Sequence, residues 1–153
     1  MKTTLDSLSL LAATIMLAII FVAGLRERIV NIPRWFANPP ASFDLIRQQA
    51  VNAPKFWIPV QLLFVITLVT AFITNWSDAT VRNRLLISTG FFLLVIILTA
   101  TYYVREIMAF QRIPATASVT PELLKRVNRW YQTTVIRNIL QGVALGFLVW
   151  ALI

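Results

Sequence analysis

The sequence predicts an all-α integral membrane protein, a bundle of four transmembrane helices, and three observations carry that expectation. Of 153 residues, 58% are hydrophobic and 13% charged, with a mean hydropathy of +0.75. A soluble domain of this size cannot hide so much apolar surface in one core. Four long apolar stretches recur, each close to the length that crosses a hydrocarbon layer of about 30 Å. The basic residues gather in the connections between those stretches.

The first span is read from Leu8 to Leu25, an uncharged run about 27 Å long at 1.5 Å per residue. Arg26-Glu27-Arg28 follows it in place of a small-residue cleavage site, so it is expected to be a retained helix and not a signal peptide. Trp57 to Trp76 is the second span, with Pro54 and Pro59 read as lying near its first turn and tryptophans at both ends suited to the membrane interface. Leu85 to Val104 is the third span. Tyr131 to Ile153 is the fourth, entered through Trp130 and Tyr131.

The connections are unequal. Ser77 to Arg84 is a short turn, which predicts that spans two and three are antiparallel neighbours. The other two connections are long. Each is read as an extension of the preceding helix, a proline break and a short amphipathic helix lying on the interface. Ser42 and Thr120 are placed to cap those short helices, each with an acid two residues later at the positive end. The long connections hold ten Lys and Arg (Arg26, Arg28, Arg34, Arg47, Lys55, Arg105, Arg112, Lys125, Arg126, Arg129) against three on the opposite side (Lys2, Arg82, Arg84). The positive-inside rule then puts the long connections in the cytoplasm and both termini on the non-cytoplasmic side, in the cell inner membrane.

The two halves, 1–80 and 81–153, also resemble each other. Glu27 and Glu106 are 79 residues apart, Pro33 and Pro114 81, Asp44 and Glu122 78, and Gln61 and Gln141 80. This near-constant spacing predicts two duplicated helical hairpins in the same orientation.

Composition also removes several chemistries. The chain has no histidine and no cysteine, so disulfides, thiolates, a His base and the usual zinc, haem and di-iron ligand sets are absent. No metal or other cofactor is expected. The net charge of +8 lies beside apolar spans, where anionic lipid headgroups are the natural partner and nucleic acid is not.

Polar residues inside the spans are the candidates for function. Trp130, Thr133, Thr134, Arg137, Asn138 and Gln141 recur at three- and four-residue steps and form one stripe on span four. An arginine facing hydrocarbon costs at least about 2.5 kcal/mol, so Arg137 is expected to face the bundle. Its candidate partners are Glu27 with Asn31 after span one, Glu106 with Tyr102 or Tyr103 after span three, and Gln61 on span two. Together these predict a polar pocket near the cytoplasmic side, ringed by Trp57, Trp130 and tyrosines. The bland alternative is a structural ion pair between Arg137 and one of the two glutamates. Gly142 and Gly146 form a small-xxx-small pair that serves either packing within the bundle or a homodimer seam.

The layout resembles the anthrone oxygenase-like family of small four-helix membrane proteins. The residues that carry the likeness are Ala23-Gly24-Leu25 closing span one, Pro33 after it, and Arg129-Trp130 with Thr134, Arg137 and Asn138 opening span four. The resemblance implies a membrane bundle that, in fungal relatives, oxidises a polycyclic anthrone to a quinone without metal or flavin. Trp130, Arg137 and Asn138 are the positions it brings across.

The sequence therefore leaves two principal readings open. One is a binding protein or cofactor-independent oxidase for a small hydrophobic, aromatic molecule. In it Arg137 orients an oxyanion, Asn138 and Gln141 hydrogen-bond it, Glu27 or Glu106 accepts a proton and Trp130 stacks. The other is a non-catalytic accessory subunit of a larger membrane complex. A transporter would need a homo-oligomer with a continuous polar path.

Overall fold

Each apolar stretch becomes the middle of a longer helix. The computed structural model describes residues 4–153, so Lys2, one of the three cations set against the long connections, lies outside the described residues. Helix α1 runs over Thr4–Trp35, α2 over Phe43–Asn75, α3 over Ala79–Gln111 and α4 over Pro121–Leu152, each 32 or 33 residues long. At 1.5 Å per residue each is nearly 50 Å long, enough to cross the hydrocarbon and continue past it. Two of the helices contain a π-helical turn, at Glu27–Asn31 in α1 and at Thr99–Tyr103 in α3.

The surface of the bundle is apolar and part of its interior is polar. Val22, Ile58, Ile66 and Ile73 are among the large aliphatic side chains left exposed, while Ser9, Thr14, Ser88, Thr134, Asn138 and Gln141 are buried. Water would select the opposite arrangement, and lipid selects this one. The chain is a four-span, multi-pass membrane protein.

Helix ends follow their local chemistry. Asp78 accepts from the amides of Thr80 (2.9 Å) and Val81 (3.1 Å) and opens α3 several residues before the predicted start at Leu85. Thr120 caps α4 by accepting from Leu123 N at 3.2 Å. Pro121 follows at the first helical position, where its missing N–H is not needed. Ser42 does not cap α2. Its hydroxyl instead donates to Trp35 O at 2.6 Å and accepts from Asn38 N, tying the first connection together.

The segments expected as separate short helices after Ser42 and Thr120 are continuous with α2 and α4. Pro54 and Pro59 accordingly lie inside α2 and not in a first turn. Each removes one donor from the helical ladder, which α2 tolerates because ending the helix there would expose several unpaired backbone groups in place of one.

The helices pack in the order α2, α1, α4, α3. Helix α1 lies along α2 and α4, and α4 lies along α3. Leu10, Ala13, Leu17 and Ile20 of α1 alternate steps of three and four and meet Ala144, Leu148 and Ala151 of α4 in the core near the chain termini. Ser88 of α3 donates to Ala144 O at 2.7 Å in the same layer, and Gly142 lets the Phe21 ring approach α4. Gly146 has open space beside it.

Helices α2 and α3 are not the close neighbours that their short connection suggests. They meet near mid-length, where Phe64 and Phe92 pack edge to face at 4.7 Å, and at the end toward the long connections, where Phe43 and Phe110 are 5.4 Å apart. Arg47 fixes the second meeting by donating to Gln111 O at 2.9 Å and to Ile113 O. Between these contacts the two helices diverge.

Phe64 is fully buried and Ile66, two residues on, faces outward. Phe64→Ala is expected to lower stability by about 3 kcal/mol or more, whereas Ile66→Ala should cost well under half of that; thermal unfolding in detergent measures both.

Candidate functional site

A polar layer separates two hydrophobic cores. The core near the termini contains Leu17, Ile20 and Phe64, and the core near the long connections contains Ile32, Phe43, Phe110, Val127 and Trp130. Between them Gly24 and Glu27 of α1 face Arg137, Asn138 and Gln141 of α4.

Arg137 Nη2 lies 3.3 Å from Glu27 Oε2, with the two side chains 12% and 15% exposed. The pair cancels both charges where neither could stand alone. The Arg137 guanidinium also sits 5.5 Å from the centre of the Tyr103 ring. Neighbouring Arg28 turns outward from this layer, donates to Tyr131 O at 2.7 Å and to Thr134 Oγ1, and covers the Tyr131 ring.

The aromatic wall is fixed by its own hydrogen bonds. Trp130 Nε1 donates to Tyr103 O at 3.2 Å, and the Tyr103 hydroxyl donates to Thr133 O. The Tyr103 and Trp130 rings meet edge to face at 5.9 Å. Tyr103 ends one π-helical turn and Glu27 begins the other. Such turns often occur at functional sites.

These groups line a cavity of about 550 Å³ that lies between α2 and α3, backed by α1 and α4 and open on one side. Its walls are Trp35, Trp57, Phe92, Val95, Ile96, Thr99, Tyr103, Ile107 and Trp130, with Glu27, Gln61, Arg137 and Gln141 supplying polarity. An apolar chamber of this size with a few convergent polar groups is the usual form of a small-molecule site.

Several polar atoms in the layer lack a hydrogen-bond partner among the described residues: Arg137 Nε, both side-chain polar atoms of Asn138, and Gln141 Oε1. Asn138 and Gln141 are only 5% and 6% exposed. An unpaired buried polar group costs about 1–3 kcal/mol, so such a cluster calls for an explanation. Gly24 makes room for it, since a Cβ there would lie 3.1 Å from Gln141 Oε1 and 3.7 Å from Asn138 Oδ1.

Of the residues singled out in the sequence, Glu27, Gln61, Tyr103, Trp130, Arg137 and Gln141 line the cavity. Asn138 stands behind it, against Gly24. Tyr102 packs edge-on against Tyr103 and does not reach the chamber, and Asn31 belongs to a smaller surface pocket with Arg34 and Gln48. Glu106 does not converge on Arg137. It pairs with Arg126 at 3.0 Å, with 27% and 45% of the two side chains exposed, because Arg126 in the opening turns of α4 reaches it first. Glu27 is thus the one carboxylate at the cavity. Sequence reasoning passed over Trp35, Thr99 and both π-helical turns.

No known protein family, curated protein or solved structure matches the chain.

Glu27→Leu leaves the Arg137 charge buried without its partner and should cost about 3–5 kcal/mol. Glu27→Leu combined with Arg137→Met should recover most of that loss, and Glu106→Leu should cost under about 1 kcal/mol because its pair is exposed. Melting temperatures of the three variants in one detergent make the comparison.

Proposed function

We propose that this protein binds a small, neutral, hydroxyl-bearing aromatic molecule in the cavity between α2 and α3. The observation that carries the reading is an aromatic-walled cavity whose lining residues Arg137 and Gln141 keep an unpaired donor and an unpaired acceptor in the buried layer just behind its surface. Arg137 Nε and Gln141 Oε1 are four residues apart on α4 and therefore lie on the same face, one turn from each other. A hydroxyl group matches both, accepting from the guanidinium and donating to the amide oxygen. Trp57, Trp130 and Tyr103 supply flat surfaces for its rings.

The Glu27 pairing decides against an anion. Arg137 is already neutralised, so a carboxylate or phenolate would bring an uncompensated charge into a largely apolar chamber. The role of the pair is to hold the guanidinium beside the cavity, and a hydrogen bond from it to the ligand is charge-assisted.

The likeness to the anthrone oxygenase-like family supports the same ligand class, since an anthrone is a fused-ring compound whose tautomer is a neutral phenol. Trp130 and Arg137 line the cavity, and Asn138 stands behind it beside Gly24. Binding is the whole of the proposal, and no oxidation step is included. The duplication of the two hairpins belongs to it as well: Gln61 and Gln141, paired across the halves, face one cavity, while Glu27 and Glu106 have taken different partners. So does the orientation with the long connections in the cytoplasm, supported by the excess of Lys and Arg there.

Quenching of tryptophan emission by 2-hydroxyanthracene tests the reading. It should bind about tenfold tighter than 2-methoxyanthracene, which keeps the acceptor but loses the O–H donated to Gln141, a difference of about 1.4 kcal/mol, and at least as much tighter than anthracene-2-carboxylate, whose charge has no free partner. Gln141→Leu should abolish the preference over the methoxy compound. Equal affinity for all three compounds in the unaltered protein would overturn the proposal.

A further inference from the structure

The residues that edge the cavity raise the question of how a ligand reaches it. Ala50, Pro54 and Ile58 on α2 lie four residues apart on one stripe, and Val104 and Met108 lie one turn apart on α3. All five border the chamber, yet all five are exposed on the outside of the bundle, Ile58 by 64%, Met108 by 46% and Val104 by 42%. A side chain that is both wall and outer surface marks an opening. This one runs about 12 Å along α2, the rise of eight residues.

The opening is bounded at either end. Phe64 with Phe92 closes the end toward the α2–α3 turn, and Phe43 with Phe110 closes the end toward the long connections. None of these five side chains is polar, although the half-buried Gln49 and Gln61 of α2 and Gln111 of α3 also border the cavity. Such a slot is poorly matched to water, and its place on the lipid-facing side of two membrane-spanning helices exposes it to acyl chains. Lys55 and Arg105, next in sequence to Pro54 and Val104, are exposed and suited to headgroup phosphates. They set the slot across the boundary between headgroups and acyl chains, where an aromatic ring with one hydroxyl settles for the same reason that tyrosine does.

We infer that the cavity takes its ligand sideways from the bilayer, through the slot between Ala50, Pro54 and Ile58 of α2 and Val104 and Met108 of α3. The inference rests on the cavity being a hydroxyarene site. The competing route is from water through the small surface pocket, which shares Trp35 and Gln49 with the cavity wall.

Stopped-flow quenching by 2-hydroxyanthracene in proteoliposomes separates the two. Ile58→Phe and Met108→Phe narrow the slot from opposite sides at lipid-facing positions where the fold has room for them. Lateral entry predicts that both variants slow association and dissociation together by about fivefold or more, a barrier effect, while Kd moves by less than about twofold. Unchanged rates in both, with slowing in Gln49→Phe, would overturn the lateral route and leave the binding site standing. Absence of saturable quenching in the unaltered protein would overturn the site and the route together.

Discussion

The ion pair between Glu27 and Arg137 is the constraint on which the rest of the bundle depends. An arginine in the middle of α4 must find an acid or an aqueous path, and α1 supplies the acid at the depth required. That requirement brings α1 and α4 together as the central pair, with α2 and α3 outside them. The same contact draws Gly24, Asn138 and Gln141 into one buried layer. A hydrophobic seam alone would specify this register weakly in lipid, where apolar side chains gain little by choosing one another over acyl chains.

With α1 and α4 joined in the centre, α2 and α3 are free to part. Two aromatic contacts tie them, one near mid-length and one at the end toward the long connections, and the space left between becomes the cavity. The polar layer then acquires a second role. A structural ion pair needs only its two members, yet this one is accompanied by three further residues' worth of polar and aromatic machinery: Gln141 with an unpaired oxygen, Tyr103 under the guanidinium, and Trp130 held by the Tyr103 carbonyl. The bonds that fix the aromatic wall leave Arg137 Nε, Gln141 Oε1 and the Asn138 amide unmatched in the layer behind it.

Much of this was legible in the sequence. The four spans follow from hydropathy, and the burial of Arg137 follows from the cost of exposing it to lipid. The sequence offered Glu27 and Glu106 as equal partners, and it could not choose between them. The π-helical turn at Thr99–Tyr103 shifts the facing of the residues beyond it, Glu106 among them, and leaves no mark in residue type. Arg126 is one of many cations in the long connections, and nothing in the sequence marks it as the partner of Glu106. The separation of α2 from α3 was hidden for a related reason: a three-residue connection fixes the distance between helix ends, and says nothing of how far the helices diverge beyond them. Helix lengths were underestimated because charged and proline-containing turns such as Phe43 to Phe56 were read as separate from the spans they begin.

The central claim is that the Arg137 Nε–H is held open for a neutral hydroxyl. The Arg137 Nε–H resonance of the 15N-arginine-labelled protein in nanodiscs, assigned by its loss in the Glu27→Leu, Arg137→Met variant, reports on that hydrogen directly. Addition of 2-hydroxyanthracene should move it downfield and slow its exchange with water, while 2-methoxyanthracene at the same concentration leaves a smaller shift. A resonance indifferent to 2-hydroxyanthracene, with quenching of the cavity tryptophans still observed, would contradict the account, since the ligand would then be held by apolar contact alone.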